Sequence, residues 1–229
     1  MSKQFIYTRT YSERGETSTL VGCICADGTW IPPFIILKGI RFNDAYRNDC
    51  LPNSEVHLPE KGWITKELFL VWFKFFLRSI GDSKRPILLL MDSHGSHITP
   101  QVLELAQENE IYIPTFPAHT THILQPLDVR VYKALKSAWQ QELSSYMQTH
   151  PHDKPTEYNF YSIFNIPFIK SMSSKKNIKN AFRACGTVPL NRVVIPKDKL
   201  SPSLLTECPL PSSEMERITE GALTDPDKG

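Results

Sequence analysis

An α/β fold, a mixed sheet flanked by helices, is what this sequence predicts, and three features carry that expectation. Strand-like and helix-like stretches alternate along the chain, the pattern that packs helices against the faces of a sheet. "TSTLVGCICADGTWIPPFIILKG" at 17–39 reads as two β-branched runs about a turn, hence an antiparallel hairpin. "PILLLMD" at 86–92 is a continuous apolar run, the form of a strand covered on both faces.

Taken in order, the hairpin comes first. Pro32 and Pro33 have no N–H for a ladder, so the second strand either lies at a sheet edge or pairs only beyond them. "PNSEVHLPEKGW" at 52–63 reads as loop. "ITKELFLVWFKFFLRSIG" at 64–81 predicts a helix capped by Thr65, with Glu67 in its first turn and Gly81 after its last apolar residue. Apolar residues nearly surround that helix, which implies burial against a sheet and another element. After the 86–92 strand, "PQVLELAQENE" predicts a helix and "IYIPTFP" a short strand. "QPLDVRVYKALKSAWQQELSSYM" at 125–147 predicts a long helix opened by Pro126. "MQTHPHDKPTEYNF" at 147–160 reads as loop, and "NIKNAFRACGTVPLN" at 177–191 as a short helix ending at Gly186. Residues 1–195 then form one domain, and the Pro-, Ser- and acid-rich residues 196–229 are expected to be a disordered tail.

Composition narrows the class. With 41% hydrophobic and 10% aromatic residues, the 229-residue chain can bury a substantial core. Net charge is +2, but residues 197–229 hold seven acids against four bases, so the remainder carries +5. That surplus is compatible with nucleic acid and equally with a solvated face. Five cysteines without a C-x-x-C pair argue against a disulfide framework and for a reducing compartment, the cytosol or nucleus. Cys23 and Cys25 face one side of their strand as small core residues. "LFLVWFKFFL" at 68–77, broken by Lys74, falls short of the roughly 20 apolar residues a bilayer requires. No apolar leader follows Met1, and no membrane association is expected.

The chemistry gathers around two acids. Asp92 ends the apolar strand, where the chain leaves the sheet and a crevice opens. Asp128 lies at the start of the long helix, and if the last two strands are parallel neighbours both acids open toward one sheet edge. Two carboxylates held close repel unless a divalent cation neutralises them. Mg²⁺ or Mn²⁺ prefers such oxygen ligands, and a pair of ions can clamp an in-line phosphoryl displacement. Each acid also has a plainer reading, Asp128 as a helix-dipole partner and Asp92 as a cap for the next segment.

"SERGETSTLVGCICADGTWIPPFIILKG", "LLLMDSHGSHIT", "PTFPAHTTHILQPLDVRVYKALKSAW" and "NIKNAFRACGTVPLN" resemble, in order, the DDE superfamily endonuclease domain of pogo, Tigger and jerky-type transposases. The D-S-H-G-S-H and Q-P-L-D blocks together make the resemblance specific. It implies a ribonuclease H-like fold, two Mg²⁺ or Mn²⁺ ions, strand transfer on DNA and nuclear localisation. Asp92 and Asp128 match the family's second and third catalytic, metal-binding acids. His97 and His122 match neighbours that orient metal-bound water or DNA phosphate.

The family's first acid sits in a D-E-T or D-E-S motif on a central strand preceding the segment that matches "SERG". No such motif precedes Ser12 here. "KQFIYTRTY" can fill part of the gap but brings no acid, and Asp27 belongs to the "ADGT" turn. The expectation is therefore a central first strand missing or replaced, backbone groups of its neighbours left unpaired, and marginal stability or a rearranged sheet. It also includes an incomplete triad, weakened metal binding and little or no strand cleavage. An active endonuclease is the alternative if an upstream acidic strand exists, and a domesticated protein-interaction module is another. The family's helix-turn-helix modules are missing, so any DNA binding is expected to be non-specific; homo-oligomerisation stays open.

Other constellations are weaker. His94/His97 and His119/His122 form two H-x-x-H pairs, yet zinc needs three or four ligands converging on one point. Ser93 and Ser96 lack a nucleophile elbow. Lys170, Lys175, Lys176, Lys179 and Arg183 can track DNA phosphates or simply form a solvated face. Trp139 and the aromatics of 69–76 are assigned to packing.

Overall fold

The computed structural model describes residues 4–9 as backbone and residues 18–60, 62–92, 98–117 and 120–195 in full. The tail at 196–229, on which the disorder expectation falls, lies outside them. The described strands are β1 (Gln4–Arg9), β2 (Thr19–Cys25), β3 (Phe34–Ile36), β4 (Glu55–His57), β5 (Ile87–Leu90) and β6 (Ile111–Tyr112). They form one sheet in the order β4-β3-β2-β1-β5-β6.

β1 occupies the centre, antiparallel to β2 with Ile6 opposite Ile24 and parallel to β5 with Ile6 opposite Leu90. The central strand is thus replaced rather than missing. The expectation of unpaired neighbours is corrected: β2 and β5 both find ladder partners in "QFIYTR". β2 and β3 pair as expected, and pairing starts at Phe34, just past the two prolines. β3 is not an edge strand, because Glu55–His57, read from sequence as loop, pairs with it in parallel. Three residues are too few to show an alternation in sequence. An ion pair from Arg78 to Glu55, whose other oxygen lies 2.8 Å from His57 Nε2, ties this edge to the helix beneath it.

Two cores sandwich the sheet. α1 (Lys66–Ile80) and α2 (Pro100–Glu108) cover one face. Thr65 caps α1 by accepting from the Leu68 N–H at 3.2 Å, and Thr99 caps α2 from the Val102 N–H. Phe69, Trp72, Phe73 and Phe76 of α1 pack on Val21, Cys23, Cys25, Phe34, Ile87, Leu89 and Met91. The two strand cysteines are core residues, as read. Each such large side chain contributes about 1.5–3 kcal/mol on burial.

The other face receives α3 (Thr121–Leu124), a π-helical turn (Leu127–Val131), α4 (Tyr132–Thr149), α5 (Phe160–Ser171) and α6 (Lys175–Ala184). Leu127, Val131, Leu135, Phe164, Phe168, Ile178 and Phe182 pack there on Leu20, Ile24 and Ile35, with Leu90 and Trp139 joining them. Gly22 of β2 seats this layer. A Cβ on it would come within 2.7 Å of Tyr132 Oη and 2.8 Å of Met172 Cε, so its absence lets the start of α4 approach the sheet.

Candidate functional site

β5 carries its chain into the site in a fixed register. Met91 is the last bridged residue, opposite Thr115, and its carbonyl accepts from the Phe116 N–H at 3.0 Å. β5 and β6 are parallel neighbours, as the acid-pair argument required. Ile87, Leu89 and Met91 face α1 and α2, whereas Leu90 packs with Leu127 and Val131 on the other face. Alternation along the strand puts half-buried Asp92 on the side of Leu90.

Asp128 reaches the same side by a different route. It stands not in the first turn of a regular helix but in the π-helical turn ahead of α4, also half-buried. Leu127 and Val131 are fully buried, and they anchor that turn on the sheet with Asp128 beside them. The turn also packs against β1. π-Helical turns of this kind concentrate at functional sites. Both predicted acids therefore belong to one face of the sheet, near the central strand.

Cys185, buried just past the end of α6, senses this neighbourhood. Burial pushes its thiol up to about 12, with Arg130 opposing the rise and Asp128 adding to it. The folded state keeps a proton that an unfolded thiol loses above 9.0, so the stability this group contributes is full below pH 9 and declines as pH rises toward 12. At pH 8 the native protein is expected to leave Cys185 unmodified by iodoacetamide under conditions that alkylate half-buried Cys50, read by peptide mass mapping.

Of the remaining candidates, His122 is exposed on α3. His94, His97 and His119, with Ser93 and Ser96, lie outside the described residues. Asp27 is a turn residue, as read: its Oδ1 accepts from the Thr29 N–H at 2.8 Å and the Thr29 hydroxyl at 2.6 Å.

Among the described residues the donor set does not complete a two-ion centre. The central strand brings no carboxylate, and among the described residues no three His, Cys, Asp or Glu side chains cluster as metal ligands. A two-ion clamp needs a shared ligand beyond two aspartates.

The cations form a second feature. α6 opens with Lys175 and Lys176 behind the Ser174 cap, without an acid in its first turn. Cations at a helix N-terminus oppose the macrodipole. At 3.6 residues per turn, Lys175, Lys176, Lys179 and Arg183 fall within an arc of about 100°. Lys170, at the end of α5, is exposed, and its carbonyl accepts from the Asn177 side chain at 3.5 Å. The hairpin turn abuts this end of α6: a Cβ on Gly28 would lie 2.3 Å from Lys175 Cγ.

Between α4 and α6 runs a groove of about 390 Å³ lined by Val129, Arg130, Lys133, Ala134, Asn177, Asn180 and Ala184. Sequence reasoning missed Arg130 and Lys133. Their signal was present in "DVRVYK", two cations three residues apart directly after Asp128, but the facing asparagines come from a distant stretch.

A mixed sheet in this order, with helices on both faces, defines a ribonuclease H-like class of domain. The chain belongs to the DDE superfamily endonuclease family, whose sequence model matches residues 14–186. It is a transposase-derived domain. It is 26% identical to the human "Pogo transposable element with KRAB domain" over 138 residues, which are 59% of this chain and 22% of that protein. A Cochliobolus lunatus protein named "MFS-type transporter clz9" is 32% identical over 205 residues, 88% of this chain and 22% of that protein. Among the described residues no helix is long and apolar enough to cross a membrane. The chain spans about a fifth of the length of these two relatives. The catalytic domain of Mos1 transposase, solved with raltegravir and Mg, shares the fold at a TM-score of 0.52 and 8% identity, covering 87% of this chain and 83% of that one.

Proposed function

We propose that this chain is a transposon-derived DDE endonuclease-like domain that associates with DNA in the nucleus and, by itself, does not cut it. The observation that carries the reading is the central strand: the position next to β5 is taken by "QFIYTR", without an acid, while Asp92 and Asp128 share the face beside it. In this reading Asp92 and Asp128 are the remaining metal-binding acids. An Mg²⁺ or Mn²⁺ ion held by them alone is weakly bound, and His97 and His122 are supporting neighbours. Lys170, Lys175, Lys176, Lys179 and Arg183 supply contacts to phosphate irrespective of sequence, each adding salt-dependent affinity.

Plasmid nicking in Mg²⁺ or Mn²⁺ tests the first half. The expected result is no nicking above that of Asp92→Ala; robust cleavage that disappears in Asp92→Ala would overturn the reading. Because the chain spans about a fifth of its curated relatives, endonuclease activity returns as the second reading for a longer polypeptide that supplies an acid to the central position.

A further inference from the structure

We infer that the groove between α4 and α6 is the seat of one sugar–phosphate strand, with Arg130 and Lys133 as phosphate contacts and Asn177 and Asn180 as its polar wall. The inference rests on the DNA-associated reading and assigns it a surface.

Four observations converge on that groove. Its walls combine opposite requirements of a backbone ligand: two exposed cations on one side, and two amides that both donate and accept on the other. At 100° per residue, Asn180, Ala184 and Asn177 follow directly after the stripe of Lys175, Lys179, Arg183 and Lys176 around α6, occupying an arc of about 60°. Cations therefore rim both sides of a channel whose inner wall is uncharged. Among the described residues neither Arg130 nor Lys133 is held in an ion pair with a carboxylate. The volume of about 390 Å³ lies at the lower end of the range for small-ligand sites, enough for a phosphate and its sugar but not for a duplex.

Position relates the groove to Asp128. Arg130 and Lys133 follow Asp128 by two and five residues, and both Arg130 and Asp128 act on Cys185 at the end of α6. Val129, next to Asp128, lines the groove, which places the channel beside the carboxylate face. This separates the groove from the outer lysines, which face solvent and can meet any anion.

The test is fluorescence anisotropy of a labelled 20-mer, single-stranded and duplex, titrated with the whole 229-residue chain across a range of salt concentrations. The variants are Arg130→Gln/Lys133→Gln, Arg130→Lys/Lys133→Arg, Asn177→Ala/Asn180→Ala and, as a control on the opposite face of the sheet, Lys66→Gln/Lys74→Gln. Wild type is expected to bind single strands with an affinity that falls with salt. Removing both groove cations should weaken single-strand binding about tenfold and reduce the salt slope by about 1.4, that is, two single-strand phosphate contacts. The charge-conserving pair should restore the slope, the asparagine pair should weaken binding without altering it, and the α1 pair should match wild type. Unchanged affinity and slope in Arg130→Gln/Lys133→Gln, with wild type binding, would overturn the groove while leaving the DNA-associated reading in place. Failure of wild type to bind any oligonucleotide would overturn both. Displacement of the strand by polyglutamate at equal charge concentration would assign the groove to an acidic protein segment instead.

Discussion

Phe76→Ala is expected to lower the unfolding free energy by about 3–5 kcal/mol, a large share of the roughly 5–15 kcal/mol that holds a domain folded. Phe76 is fully buried at the centre of the α1 face, 5.7 Å from the Trp72 ring and 5.8 Å from that of Phe73. Truncation removes the ring and leaves a cavity that neighbours locked in their own packing cannot fill. For a chain of this size the melting temperature should fall by about 6–20 °C, measured by circular dichroism. A shift under 2 °C would mean that α1 does not pack on the sheet as described. The helix lies on the face away from both acids, so oligonucleotide affinity below the new melting temperature should stay unchanged.

Gly186→Ala is expected to be the second large effect. Gly186 ends α6 at φ +63, with its N–H bonded to the Arg183 carbonyl and the Thr187 N–H to the Phe182 carbonyl, a Schellman arrangement. The left-handed backbone alone costs an L-residue about 1–2 kcal/mol. A Cβ there would also lie 2.2 Å from the Asn191 carbonyl oxygen, which is backbone and cannot rotate away. The 186–191 loop must therefore open, and a drop of about 5 °C or more in melting temperature is the expected readout. Because α6 forms one wall of the groove, this variant should also bind single strands more weakly. A melting temperature equal to wild type would refute the close approach of Asn191 to Gly186.

Local signals in the sequence were reliable where neighbouring residues carry them. Thr65 caps the helix it was expected to cap, and Gly186 ends α6. Pro33 marks where β3 pairing begins, and Asp27 makes its turn. The two motif blocks that suggested a DDE domain are local as well, and the family match covers them. Other features had no such signal. α5 was not read from the sequence because Pro167 stands inside it, although Phe160, Ile163, Phe164 and Phe168 fall at helical spacing; the run is helical in the structure and packs against α4. Asp128 was expected in an ordinary first turn and stands instead in a π-helical one, between the buried Leu127 and Val131.

The sequence by itself determined the strand and helix periods, the caps and turns, the identity of the two acids and the lack of an acid in "QFIYTR". These follow from side-chain type and spacing over a few residues. Only the tertiary structure decided that this segment fills the centre of the sheet, that Glu55–His57 is a strand, and that Arg130 and Lys133 face Asn177 and Asn180 across a groove. Strand pairing and helix packing join residues tens of positions apart, and a backbone N–H or an exposed cation does not encode, in its own neighbourhood, which partner it will meet.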